Sequence, residues 1–385
     1  MVLMNTSRVN LDSLFKRTVF LLGAGASMDA GCLSSRDMLQ DLRNQIENHQ
    51  SRDARKQYSA IYDFVIQSLV YQQALKGGPN SKVMELANIE DFVAVIKQII
   101  DREYIVPPPL VGNWNNKIIG WEINNENVFT EFLDYVYECL ITKWTQYDRQ
   151  RAQPLIQPIR RLLESDQNFD LSVFSLNYDL IFESLLNSDE EKLVHVGFSP
   201  DRWIGDFGDP NDGTKLKFFK LHGSVDWYFD EQDQEVKLGV PDGAKPLLVF
   251  GSGSKIQSYD PFLSLLANFS EKLKSSILYV VVGYSFHDKY INNILIQGLS
   301  AELNKKMIVV DPCMELDNRG FIEQLEGFQR LKSMNEIVNL TRISPARVEI
   351  LKITAQEFYS TYFSDEAAKL QEIMDVTEKG DQIFT

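Results

Sequence analysis

Five places in this 385-residue chain put glycine or polar residues directly behind an apolar run. Gly23-Ala24-Gly25-Ala26-Ser27 follows Val19-Phe20-Leu21-Leu22, Asn177-Tyr178-Asp179 follows "LSVFSL", and Gly283-Tyr284-Ser285 follows "ILYVVV". Asp311 closes "KMIVVD", and His222 stands in "KLHGS" behind "FFKL". The first of these reads as a tight glycine turn that brings backbone N–H groups close to a phosphate. Taken singly, each signal is weak, because a glycine turn is as often a packing device and a lone histidine is more often structural. Their common position is the stronger signal. An open parallel sheet binds its ligands beyond the carboxyl ends of its strands. The first turn departs from the dinucleotide fingerprint G-x-G-x-x-G, since Met28 stands where the third glycine belongs, so an ordinary hydride-transfer dehydrogenase is disfavoured.

The elements that must position these residues follow from periodicity. A short lead-in helix over 8–17 precedes a strand at 19–22, and a helix then runs from Ser27 or Ser35 to about Asn48. From about 52 to 165 apolar residues recur three and four apart, as in "IEDFVAVIKQIIDREY", interrupted by "PPPLVGNWNN". Phe129, Phe132, Tyr135 and Val136 form a core stripe there. A second strand covers 171–176, short strand-like pieces fill 190–250, and strands at 277–283 and 306–312 flank a helix. Beyond 312, "RVEILKIT" reads as a strand and "AQEFYSTYFSDEAAKLQEIM" as a helix. The expected fold is therefore α/β: a Rossmann-like, mainly parallel sheet with helices on both faces, plus a helical insertion and a small C-terminal accessory segment. The expected division is a domain over 1–312 carrying the insertion at about 52–165, and an accessory segment over 313–385.

Composition narrows the function. The formal net charge is −15, which argues against direct nucleic-acid binding along the surface. Cys32, Cys139 and Cys313 lie far apart with no C-x-x-C, so a zinc module is not expected and the thiols read as isolated in a reducing compartment. The N-terminus lacks an apolar stretch of signal-peptide length, and no segment approaches a membrane span, so a cytoplasmic protein without membrane contact is expected.

Taken together the motifs resemble the sirtuin-like (Sir2-type) NAD hydrolases. That family carries G-A-G-[IA]-S-x-x-A-G, matched at Gly23 to Gly31. It carries [QTL]-N-[IY]-D, matched at Leu176 to Asp179, then L-H-G at Leu221 to Gly223 and G-[TYF]-S at Gly283 to Ser285, in the same order. Two departures matter. Where the deacylase branch reads I-P-D-F-R, this chain has Cys32-Leu33-Ser34-Ser35-Arg36, keeping only the arginine. The four-cysteine zinc module expected after the H-G motif is missing from "SVDWYFDEQDQEV". The resemblance therefore points to NAD+ hydrolysis, as in effectors of bacterial anti-phage defence that deplete NAD+, and to the sirtuin-like partners of HerA-type ring ATPases. It implies NAD as substrate, no metal, and a homo-oligomer. Two alternatives stand beside it: an NAD-dependent protein deacylase or ADP-ribosyltransferase, and a non-enzymatic NAD or ADP-ribose scaffold.

The resemblance also implies roles. Gly23, Ala24, Gly25 and Ser27 would approach the pyrophosphate, with the next helix N-terminus supplying N–H donors. Asn177 would hydrogen-bond a ribose hydroxyl or the attacking water, and His222 would act as general base. Asp179 would hold the nicotinamide region or brace the site. Gly283 and Ser285 would take the adenosine side, Asp311 would accept from the adenosine ribose, and Asp29 and Arg36 lie near enough in sequence to touch the ligand. His287 and Asp288 are expected to cap the following helix.

Overall fold

The computed structural model describes residues 10–75, 87–101, 114–187, 191–208, 213–250, 260–302, 304–313, 348–363 and 367–380. The chain forms two compact units: the first comprises 1–32, 147–248 and 257–385, the second 33–146 with 249–256. The junctions between the units lie at 32/33, 146/147, 248/249 and 256/257. The interruption "PPPLVGNWNN" lies largely outside the described residues.

The first unit is built on a seven-stranded sheet in the order β3-β4-β2-β1-β7-β8-β9. These strands are Val194–His195, Leu216–Lys220, Leu171–Ser175, Thr18–Leu22, Leu278–Val282, Lys306–Val310 and Val348–Leu351, and every pairing is parallel. β5 (Trp227–Asp230) and β6 (Glu235–Leu238) form a separate antiparallel hairpin. All residues of β1, β2, β4 and β7 are buried, and all but Thr18, Ser172, Ser175, Lys217 and Lys220 are apolar, because a parallel sheet covered on both faces has no wet side. Alternate residues serve opposite faces. Phe20 and Leu22 pack with the helices Leu11–Lys16, Arg149–Leu163 and Ala355–Tyr362, while Val19 and Leu21 pack with Phe262–Ser275 and Lys289–Ser300. The C-terminal segment thus supplies both the seventh strand and helices of the core.

In the second unit the helices Ser35–Glu47, Arg52–Leu75, Ile89–Ile100, Trp114–Asn124 and Val128–Cys139 surround an aromatic core. Tyr58 stacks on Phe132 at 4.7 Å, and Phe92 meets Tyr62 at 5.3 Å. Phe129, Phe132 and Val136 of the expected stripe are buried, and the Tyr135 hydroxyl donates to the Gln45 carbonyl at 2.8 Å.

The carboxyl edge of the sheet is aligned by its register. Leu22 pairs with both Ser175 and Val282, Ser175 pairs with Lys220, and Val282 with Val310. Backbone hydrogen bonds carry this row one step beyond the strands: Leu221 to Ser175, Leu176 to Leu22, Gly23 to Val282, Gly283 to Val310 and Asp311 to Leu351. The two central loops then interlock. A Cβ on Gly23 would sit 2.6 Å from Tyr284 Cα, one on Gly25 2.7 Å from Gly283 Cα, and one on Gly283, whose φ is +62°, 2.3 Å from the Ala26 nitrogen. Each loop therefore occupies the space where the other would carry a side chain.

Gly283→Ala combines left-handed strain with backbone overpacking, so it is expected to destabilise the fold by about 2–5 kcal/mol in chemical denaturation followed by circular dichroism. Gly120→Ala, in a helix with open space around the glycine, is expected to stabilise by up to about 1 kcal/mol in the same assay.

Candidate functional site

The glycine turn does not open a long helix. Ala24–Ala26 and Met28–Ala30 form two short 3-10 turns, and the first α-helix after them starts at Ser35, in the second unit, where Arg36 occupies its first turn. Gly23 donates to Val282, Gly25 to Gly283, Ala26 to Gly23 and Ser27 to Ala24, all between 2.9 and 3.1 Å. Among residues 23–27 only the Ala24 N–H has no described partner. The turn thus keeps the Ala24 N–H without a described partner, and the close approach of the two loops requires glycine at 23, 25 and 283.

Ser27 is the hub of what the strand ends bring together. Its hydroxyl, 1% exposed, donates to Asp179 Oδ2 at 2.6 Å and accepts from Asn177 Nδ2 at 2.9 Å. The second Nδ2 hydrogen goes to the Gly23 carbonyl at 2.9 Å. A carbonyl only accepts, so this contact fixes which way the amide points. Asn177 Oδ1 is left without a described partner. Asp179 uses its other oxygen to accept from the Ile181 N–H at 3.1 Å, capping the turn at Phe182–Asn187. Both Asp179 oxygens are therefore engaged within the protein, which makes it a brace.

His222 stands two residues beyond Lys220 as Asn177 stands two beyond Ser175, and those two residues are register partners. The two side chains thus project from neighbouring strand ends. His222 Nε2 lies 3.2 Å from Asp288 Oδ2. Asp288 also caps the helix Lys289–Ser300, with Oδ1 accepting from Tyr290 and Ile291. Burial pushes the Asp288 carboxyl up, but the His222 hydrogen bond and the two capping amides outweigh it, and the net effect is a carboxyl held below its ordinary range. An ionised carboxylate accepts only, so it holds the proton of a neutral imidazole on Nε2 and leaves Nδ1 as the basic nitrogen. The cap was legible in the sequence, but the pairing with His222 was not, because it joins residues far apart in the chain.

The remaining candidates divide. Ser285 is partly exposed at the Gly283 loop with no described hydrogen bond, and Asp311 is buried at the end of β8, its Oδ1 accepting from the Cys313 N–H at 2.9 Å. Asp29 is engaged elsewhere. Its Oδ2 accepts from the Gln356 N–H at 2.9 Å in the first turn of Ala355–Tyr362, a favourable place for a carboxylate. Its backbone carbonyl accepts from Arg151 Nε at 3.0 Å. Burial, with the Asp179 charge, pushes the Cys32 thiol far up, so it behaves as an inert buried group.

Two charged residues had no weight in the sequence reading. Lys220, 2% exposed, donates to the carbonyls of Tyr178 and Asp179 and to Ser224 Oγ, and pairs with Glu183 Oε1 at 2.5 Å. It underpins the turn that carries Asn177 and Asp179. The available signal was a lysine inside an apolar strand, "KFFKL". Among the described residues no group of three or more histidine, cysteine, aspartate or glutamate side chains is placed to hold a metal ion, and no helix is long and apolar enough to cross a membrane.

A SIR2-like domain model matches residues 171–330, a stretch holding Asn177, Asp179, His222, Gly283, Ser285 and Asp311 but not the glycine turn at 23–27. No curated protein matches the chain. Similar solved structures include one from work on sirtuin substrate affinity, at 12% identity over 91% of this chain and 93% of that chain with a TM-score of 0.38. Others are a mutant Sir2 homologue with 2′-O-acetyl ADP ribose, at 12% identity over 93% and 92% with a TM-score of 0.39, and a Sir2–p53 peptide–NAD+ complex, at 13% identity over 92% and 97% with a TM-score of 0.38.

Two pH effects follow. Asp288 has a folded pKa below its unfolded value of about 3.9, so its contribution is present above about pH 4 and is lost as pH falls through the lower folded value. Asp288→Ala is expected to cost about 0.5–2 kcal/mol at pH 7 in urea unfolding, with the gap to wild type closing in acid. Glu183 behaves oppositely. Burial pushes it up, the Lys220 charge opposes this, and Asp226 and Asp179 add to it, for a pKa of about 7. The folded state binds the extra proton, so this group makes stability fall as pH rises from about 4.5 to 7. Urea unfolding across that range is expected to show a shallower fall in Glu183→Gln.

Proposed function

We propose that the first unit hydrolyses NAD+ to nicotinamide and ADP-ribose. The observation that carries this reading is the pair at neighbouring strand ends: an asparagine whose amide is locked with Oδ1 left open, and a histidine whose imidazole is held by Asp288. The SIR2-like match over the stretch containing both residues supports the same chemistry class.

In the reaction the C1′–N bond to nicotinamide breaks and its electron pair returns to the pyridinium, which leaves neutral. Water forms the new C1′–O bond and gives up a proton. The protein's tasks are to orient the ribose, stabilise the oxocarbenium-like transition state and receive that proton. Asn177 Oδ1 accepts from a ribose hydroxyl or from the attacking water. His222 takes the proton at Nδ1, directly or through a ribose hydroxyl. The Ala24 N–H meets the pyrophosphate, Ser285 the adenosine side, and Asp311 the adenosine ribose. Asp179 and Ser27 keep the asparagine in place.

Uncontrolled cleavage of NAD+ would drain the host, so the proposal includes gating. The chain acts as an NAD+-depleting effector in anti-phage defence, as a homo-oligomer with a HerA-type ring ATPase as partner, and is slow by itself.

The test is incubation of purified protein with NAD+ and chromatography of the products. Nicotinamide and ADP-ribose are expected in equal amounts, slowly alone and faster with the partner. Asn177→Ala is expected to abolish turnover and His222→Ala to reduce it by about 10²–10⁴-fold. Adding an acetylated peptide separates the deacylase reading, which would yield O-acetyl-ADP-ribose. Full activity in both variants would remove these residues from the reaction.

A further inference from the structure

The pairing of β2 with β4 ends at Ser175 and Lys220, and the last ladder bond runs from the Leu221 N–H to the Ser175 carbonyl. Asn177 and His222 lie beyond it. Contacts with Gly23 and Ser27 orient the Asn177 amide, and Asp288 orients the imidazole, so each of these serves one side chain. The Lys220 ammonium touches both loops. On the Asn177 side it donates to the Tyr178 carbonyl at 3.4 Å and to the Asp179 carbonyl. On the His222 side it donates to Ser224 Oγ at 2.8 Å. Its charge is met by Glu183 Oε1 at 2.5 Å, in the turn Phe182–Asn187. A backbone bond runs beside this tie, from the Val225 N–H to the Tyr178 carbonyl at 3.2 Å.

An ammonium is a poor filler for a core. It is tolerated when paired and hydrogen-bonded, and apolar residues of similar volume in place of a buried ion pair often stabilise as well or better. Lys220 is 2% exposed, and its three N–H groups face four acceptors drawn from three segments. Such an arrangement specifies geometry rather than adding stability. We propose that Lys220 is a positioning residue, whose ammonium sets the spacing between the Asn177 turn and the His222 loop, with Glu183 as the counter-charge that keeps it there. The assignment rests on the proposed hydrolysis for its kinetic readout alone, because the spacing is a property of the protein with or without NAD+.

The same strand supplies the comparison. Lys217, also buried, pairs with Asp170 Oδ2 at 3.1 Å and projects to the opposite face of β4. Asp170 precedes β2, so this second pair lies at the amino end of the strands, away from Asn177 and His222. Lys217→Met removes a buried, paired ammonium from the sheet and leaves the tie between the loops intact.

The test compares Lys220→Met with Lys217→Met in the full-length protein, both checked for native circular dichroism. NAD+ turnover gives kcat and KM, and hydrogen–deuterium exchange followed by mass spectrometry reports on the loops. Lys220→Met is expected to lower kcat by about 10²-fold with KM changed less than about threefold, because a misplaced pair fails in the transition state while the groups given to the pyrophosphate and adenosine are untouched. Amide exchange is expected to rise about tenfold over 177–184 and 221–225 and to stay unchanged elsewhere in the first unit. Lys217→Met is expected to keep kcat within about twofold and to leave both stretches as they are. Ser224→Ala removes the acceptor on the His222 side alone, and a fall in kcat of about three- to tenfold is expected, with exchange raised over 221–225. Equal losses of kcat in the two lysine variants, a uniform rise in exchange, or unchanged kcat in folded Lys220→Met would overturn the proposal. If the wild-type chain does not turn over NAD+, the hydrolysis reading fails and the exchange pattern decides this one by itself. If Lys220→Met does not fold, Ser224→Ala decides it, and wild-type kcat and exchange in that variant would overturn it.

Discussion

The steric interlock of two strand-end loops is the constraint on which the site depends. Gly23 and Gly25 at the end of β1, and Gly283 at the end of β7, each leave out a side chain where the other loop's backbone lies. Their contact holds the Gly23 carbonyl where it accepts from Asn177 Nδ2. That bond decides the orientation of the amide, and the orientation decides that Oδ1 faces what remains of the carboxyl edge. A packing requirement in the backbone is thereby transmitted, through one carbonyl, to the chemistry a side chain can offer.

Around this point the polar groups sort into supports and available functions. Ser27, Asp179 and Lys220 are buried and satisfied by the protein itself, and together they fix the turn 177–179. Asn177 Oδ1, Ser285 and the Ala24 N–H are the groups left over. His222 is intermediate, tied through one nitrogen to the residue that also caps the helix Lys289–Ser300. Anchoring a base to a helix cap gives it a rigid partner, because the cap's other oxygen is held by two backbone amides.

Much of the sheet was legible in the sequence because buried parallel strands read as apolar runs, and β1, β2, β7 and β8 all stand where such runs occur. The strand-end motifs were legible for the same reason: polar residues after such runs must sit at the carboxyl edge. What a single sequence could not supply was pairing across distance. Nothing local to Gly23 indicates that Tyr284 fills its missing side chain, and nothing local to Asp29 indicates that its carboxylate meets the helix at Gln356. Of the two helix starts the sequence offered, Ser27 and Ser35, the chain uses Ser35, whose helix Ser34 caps, and two 3-10 turns fill the residues between the glycine turn and Gly31. Lys220 and Glu183 were passed over because a lysine in a strand reads as an edge or surface residue until its register is known.

The central claim is that a dinucleotide crosses this edge with its nicotinamide ribose at Asn177 and His222. A crystal structure with bound ADP-ribose tests it most directly. The account predicts the ribose C1′ beside Asn177 Oδ1, with His222 Nδ1 within hydrogen-bond reach of a ribose hydroxyl or a water at C1′. A ligand bound elsewhere, or residues 177 and 222 on opposite sides of the sheet from one another, would contradict it.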